Sequence, residues 1–140
     1  MNREIIYSSL LDLLSAASGI TTASRRLKHW ADVAPADHPA LFMVQKSETA
    51  TVVTGQPTRW SLRVDVYLYV RGASDISPAS ILNPTLDAVT AALMPATSAS
   101  GPQTLGGLVT YARIEGAIET DEGTLGDQAV AIIPIQIFTT

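Results

Sequence analysis

Residues 59–71 alternate along their whole length. Trp60, Leu62, Val64, Val66, Leu68 and Val70 fall on one side of an extended chain, and Ser61, Arg63, Asp65, Tyr67, Tyr69 and Arg71 on the other. A period of two predicts a strand with one face in a core and the other amphipathic, its two tyrosines available to a partner. Over residues 3–17 the period changes. Ile6, Leu10, Leu13, Leu14 and Ala17 recur at helical spacing and predict a helix, with Asn2 placed to cap its start and Gly19 to take the left-handed turn that follows. Residues 77–95 predict a second helix. Pro78 suits a first helical position after Ser77, Leu82, Leu86, Val89 and Leu93 form the stripe, and Pro95 ends it. Asn83-Pro84 inside that segment predicts a kink or a restart.

The remaining segments are less regular. Thr22 to His29 reads as a short strand, Pro35 and Pro39 mark a loop, and residues 40–47 read as a buried strand. Residues 48–58 read as a connection ending in Gly55 and Pro57, with a small ribbon as an option inside it, and residues 96–104 as a linker-like loop. From Leu108 to Phe138 the pattern predicts two long strands turning near Gly123 and Gly126. Pro134 lacks a ladder donor, which argues for an edge strand or a bulge in the last of them. The order α, β, β, β, α, β, β leaves adjacent strand pairs with no helix between them. Antiparallel pairing follows, and the expected fold class is α+β: an antiparallel sheet with two helices packed on one face and a long C-terminal hairpin.

A chain of 140 residues suits one domain, residues 1–140. Only 16% of it is charged, against roughly 25% for an ordinary soluble domain, so other subunits are a natural cover for much of its surface. The charge is also uneven. Residues 1–71 hold eight of the nine Lys and Arg against six acids, while residues 72–140 hold Arg113 against seven. That polarity is unlike a uniformly basic nucleic-acid binder and allows one face to attract the opposite face of another copy. Cysteine is absent, which excludes disulfides, thiolate ligands and a Cys nucleophile. The N-terminus, with Arg3, Glu4, Ser8, Ser9 and Asp12, does not read as a secretory leader, and no 18-residue apolar run predicts a membrane span.

Two clusters carry candidate chemistry. Glu119, Asp121, Glu122 and Asp127 gather acid without a base, but lack the alternating ligands of a calcium loop and the cleft that an acid–base pair needs. Arg25, Arg26 and Lys28 form a basic run that can meet phosphates or a solvated face. His29 and His38 are too few for a three-histidine metal site, and the glycines of residues 101–108 lack the rest of a phosphate-binding loop. No catalytic residue, metal or cofactor is expected. The two clusters are expected instead to be a subunit interface, the acids of one copy facing Arg25, Arg26 and Lys28 of the next in a head-to-tail ring. Reversing the charge at Glu119 and Glu122 is then expected to weaken the ring.

Over nearly its full length the chain resembles a family. The segments "SRRLKHWADVAPADHPALFMVQKSE", "RWSLRVDVYLYV", "ILNPTLDAVTAAL" and "TLGGLVTYARIEGAIETDEGTLGDQAVAIIPIQI" look like the tail-terminator or tail-completion proteins of long-tailed bacteriophages, the lambdoid minor tail protein U type among them. The most distinctive pieces are "ADVAPADHPALF", the W-x-L-x-V-x-V strand and the late Gly-Asp and Ile-Pro-Ile. The resemblance implies a non-enzymatic virion protein, a small α+β domain that forms a six-fold ring on the tail tube. Its partners would be its own copies, the tail tube protein and the head–tail connector, with non-specific contact to DNA in the lumen and none to membrane. It would be assembled in the bacterial host cytoplasm, and residues 48–58 and 96–104 would reach the lumen or the tube. A neck or head-completion protein is the nearest alternative. A small-molecule-binding domain is another, and a polar pocket holding His29 or His38 would favour it.

Overall fold

The computed structural model describes residues 1–95, 101–122, 124 and 126–140. Helix α1 spans Arg3–Ser15 and helix α2 Ala79–Ala92. The strands are β1 (Thr22–Ser24), β2 (Ala40–Thr51), β3 (Arg59–Arg71), β4 (Tyr111–Ile114), β5 (Glu119–Glu122) and β6 (Gln128–Thr139). They form a six-stranded sheet in the order β1-β2-β3-β6-β4, with β5 also paired to β6. The fold is α+β, and the β5–β6 pairing is the expected C-terminal hairpin.

The period-two side of β3 is the floor of the core. Leu62, Val64, Val66, Leu68 and Val70 are fully buried, and both helices lie over them. α1 contributes Ile6, Tyr7, Leu10 and Leu14, and Asn2 caps it by accepting from the Ile5 N–H at 3.2 Å. α2 contributes Leu82, Thr85 and Val89. It runs unbroken through Pro84. The proline sits in the second turn and is exposed, so the one helical bond it removes leaves a carbonyl on the wet side, at the exposed Ser80. The helix therefore does not restart at Asn83, at a position where water can replace the missing donor.

Three other expectations change. The strand read at Thr22–His29 stops at Ser24, whose hydroxyl accepts from the Arg26 N–H at 3.0 Å and turns the chain. β1 then pairs with β2 in parallel, not antiparallel. Parallel neighbours need a crossover, and residues 25–39 supply it through two short 3-10 turns, Trp30–Asp32 and Pro35–Asp37. That crossover passes over the side of the sheet away from the helices, where Val33, Ala40, Phe42 and Tyr69 form a second small core against Trp30, Tyr67 and Val130. Residues 48–51, read as connection with at most a small ribbon, continue β2, so β2 and β3 make one long hairpin with Thr51 opposite Arg59.

Pro134 is not at an edge. β6 is central, with β3 on one side and β4 and β5 on the other. The bulge lies in the facing chain instead. Ladder pairing stops at Ile114 opposite Ile135 and resumes at Glu119 opposite Ile132, leaving residues 115–118 looped out. The Pro134 carbonyl points to that side, accepting from the Glu115 N–H at 3.1 Å. In an antiparallel ladder a residue's nitrogen and oxygen point the same way. The missing N–H therefore faces the looped-out stretch, where no ladder partner asks for it. Gly116, at φ +113°, lets the chain pass with 3.3 Å from its virtual Cβ to the proline ring. Of the loop read at residues 96–104, residues 96–100 lie outside the described residues, as does Gly123 of the predicted turn. Gly126 has the expected positive φ, +70°.

Candidate subunit interface

The face of the sheet opposite the helices is covered only at one end. There the crossover and the strands frame an open groove of about 500 Å³. Its floor is Tyr67, Tyr69, Val130 and Ile132; Leu27, Lys28, His29 and Trp30 stand on one side and Asp121 on the other. Register explains who is present. Tyr69 is opposite Val130 and Tyr67 opposite Ile132, while Asp121 pairs with Val130 and Glu119 with Ile132. Alternation then puts Glu119 and Asp121 on the groove face and Glu122 on the helix face, where its carboxylate accepts from the Ser77 hydroxyl at 3.3 Å.

The groove is held by bonds between residues far apart in the chain. The Tyr69 hydroxyl donates to the Lys28 carbonyl at 2.8 Å. Burial, and then the neighbouring Tyr67, raise the Tyr69 phenol above its ordinary value, so it keeps the proton it donates. Gln128 is buried, and with its amide turned to suit both neighbours it donates to the Trp30 carbonyl at 3.2 Å and accepts from Arg71 Nη2 at 3.1 Å. Arg71 in turn grips Asp127 through Nη1, at 3.0 and 2.8 Å to the two carboxylate oxygens. The crossover is thus anchored to β3 at Lys28 and to β6 at Trp30.

Three of the seven candidate interface residues are therefore engaged within the chain, Glu122 with Ser77 on the helix face among them. Asp127 belongs to Arg71. Arg25 pairs with Glu4 of α1, donates to Gln45 of β2 at 2.9 Å and lies over the Tyr7 ring. Long, flexible arginines satisfy the nearest carboxylate, and the fold brings one within reach. Among the described residues Arg26, Lys28, Glu119 and Asp121 make no ion pair, and Lys28 and Asp121 line the same groove. Lys28 and Asp121 flank one aromatic trough, while Arg25 is turned toward α1.

His29 also lines the groove, but its Nδ1 accepts from the Ala31 N–H at 3.2 Å and caps a 3-10 turn. His38 Nδ1 lies 2.9 Å from the Ala34 carbonyl. Among the described residues no three His, Asp or Glu side chains gather as metal ligands, and no helix is long and apolar enough to cross a membrane.

Tyr7 forms a second buried polar link, donating to Glu48 at 3.0 Å beside Arg3, which donates to the other carboxylate oxygen at 2.7 Å. Burial first, then the Glu48 hydrogen bond, push its phenol from 10.0 up to about 12. The unfolded phenol ionises near its ordinary value while the native one holds its proton. Stability from this source is complete below pH 10 and declines as pH climbs toward about 12. Urea unfolding from pH 9 to 11.5 should show a decline that is shallower in Tyr7→Phe.

No family model and no curated protein matches the chain. A solved structure whose name states no function is similar over 100% of this chain and 96% of its own, with a TM-score of 0.53 at 18% identity. At that identity the likeness shows the fold alone.

Proposed function

We propose that this chain is a structural virion subunit that closes into a ring on the end of a long phage tail tube, stops tube growth and presents a surface to the head–tail connector. The observation that carries the reading is the unlike character of its exposed surfaces. β5 ends the sheet with Glu119, Thr120, Asp121 and Glu122, all exposed, and two such acidic edges repel each other. A two-fold dimer through that edge is disfavoured, and a head-to-tail contact with a different surface is not. The resemblance of the sequence to tail terminators supplies the ring and the tube. The role needs shape and charge matching in place of reactive groups, which suits a site whose histidines are both engaged with backbone.

The functional test is what the purified protein caps. Negative-stain images should show added density at tail-tube ends and shorter tubes when it is present during polymerisation; binding to emptied heads and not to tubes would reassign it to the neck. The charge pattern gives a further expectation. Glu119→Lys with Asp121→Lys should leave the melting temperature nearly unchanged, since both residues are exposed. It should raise the concentration needed for assembly by about tenfold, on the order of 1.4 kcal/mol, and flatten its dependence on salt. Sedimentation at 50 and 500 mM salt reads both effects.

A further inference from the structure

One exposed apolar feature has no role in the site described above. β6 ends at Thr139, opposite Trp60, so the hairpin end beyond that pair runs past the body of the sheet. At its tip Val52 and Val53 are 74% and 43% exposed. The tip is a built turn: the Gln56 N–H donates to the Val53 carbonyl at 3.0 Å, Arg59 donates to the Gln56 side chain at 2.9 Å, and Gly55 takes a φ of +79°. A firm knob that shows two valines to water loses little entropy on docking and gains from their burial.

The groove over Tyr67 and Tyr69 is the matching hollow. It lies at the other end of β3, roughly 25 Å from Trp60 at about 3.3 Å per residue, out of reach of the chain's own tip. Its apolar floor and its volume of about 500 Å³ suit two valine side chains and the turn that carries them. The signs agree as well. Arg59 is the one charge in residues 49–59, and the groove is bordered by Glu119 and Asp121 on one side against the single Lys28 on the other. Tip and groove are non-identical surfaces at opposite ends of the molecule, so their contact is head-to-tail and propagates in one direction.

We infer that the Val52–Val53 hairpin tip of one copy seats in the aromatic groove of the next, and that this contact closes the ring. The inference rests on the ring reading above and adds the two surfaces that meet. The chain has no cysteine, so engineered pairs report alone. Val53→Cys mixed with Leu27→Cys, at the groove wall, should give covalent dimers under mild oxidation at least tenfold faster than Val53→Cys mixed with Asp87→Cys on the exposed side of α2. Equal rates, with rings still seen by mass, would overturn the tip-and-groove contact and leave the ring standing. A parent protein that neither cross-links nor assembles, alone or on tubes, would overturn both. In a second arm, Val52→Asp with Val53→Asp should keep the circular dichroism and melting temperature of the parent while raising the assembly concentration a hundredfold. Rings at the parent concentration, including rings that no longer cap tubes, would show that the tip serves another partner and sink the inference.

Discussion

Replacing Leu10 with alanine should lower the unfolding free energy by about 2–5 kcal/mol. Leu10 is fully buried, in the middle of the stripe that Ile6 and Leu14 complete. α1 is 13 residues long, a length that is marginal as a helix alone in water, so its stability comes from that stripe buried in the core between helices and sheet. Removing the isobutyl group takes away both the buried surface and the contacts around it, and the fully buried side chains of the same core cannot collapse into the space at no cost. Against a total of about 5–15 kcal/mol for a domain, the loss is large. Ile5→Ala, five positions earlier on the exposed side of the same helix, should change stability by about 0.5 kcal/mol or less. Urea denaturation of the pair measures the contrast. A Leu10→Ala midpoint equal to that of Ile5→Ala would mean that α1 does not pack as described.

Tyr69→Ala should cost about 3–5 kcal/mol and open the groove as well. Its ring packs against Phe42 at 5.5 Å between centroids, and its hydroxyl holds the crossover at Lys28. Tyr69→Phe keeps the ring and loses one hydrogen bond, about 1 kcal/mol. The two substitutions therefore separate packing from anchoring. Without the ring, residues 25–39 lose much of what they rest on, and trypsin should cut after Arg26 and Lys28 faster than in the parent. The cleavage rate after Tyr69→Phe should lie much closer to the parent's. Comparable cleavage in Tyr69→Ala and the parent would show that the crossover is held by other contacts.

Elements whose own side chains carry a period were legible in the chain. β3 has the bounds that alternation predicts, and α1 starts at its cap. Pro134 misled on both counts, since its strand is central and keeps an unbroken register with β3; the interruption lies across from it, between β4 and β5. What stayed hidden depends on residues distant in sequence. The parallel β1–β2 pair follows from a crossover that has no periodicity, built of prolines, alanines and two 3-10 turns. Tyr69 sits off the apolar side of β3 by period, yet it is buried, because the crossover covers that face and its hydroxyl reaches a partner that only the fold supplies. Tyr7 lies on the α1 stripe at i−3 and i−7 from Leu10 and Leu14, but its Glu48 partner is likewise set by the fold. The same holds for the interface residues. Arg25 with Glu4, and Arg71 with Asp127, are 21 and 56 positions apart. Nothing local marks Arg25 as a brace and Lys28 as a groove residue. The aromatic trough joins residues from the crossover, β3, β5 and β6, and the alternation of Tyr67 and Tyr69 was its one visible sign.

The central claim is that unlike ends of this chain meet around a closed ring. Native mass measurement over a hundredfold range of concentration, with and without tail tubes, tests it most directly. The account predicts monomer giving way to one closed species, at six times the 14.8 kDa of the chain if the resemblance to tail terminators holds, with no dimer plateau and no larger polymers. Monomer at every concentration and on every tube preparation, or a saturating two-fold dimer, would contradict it.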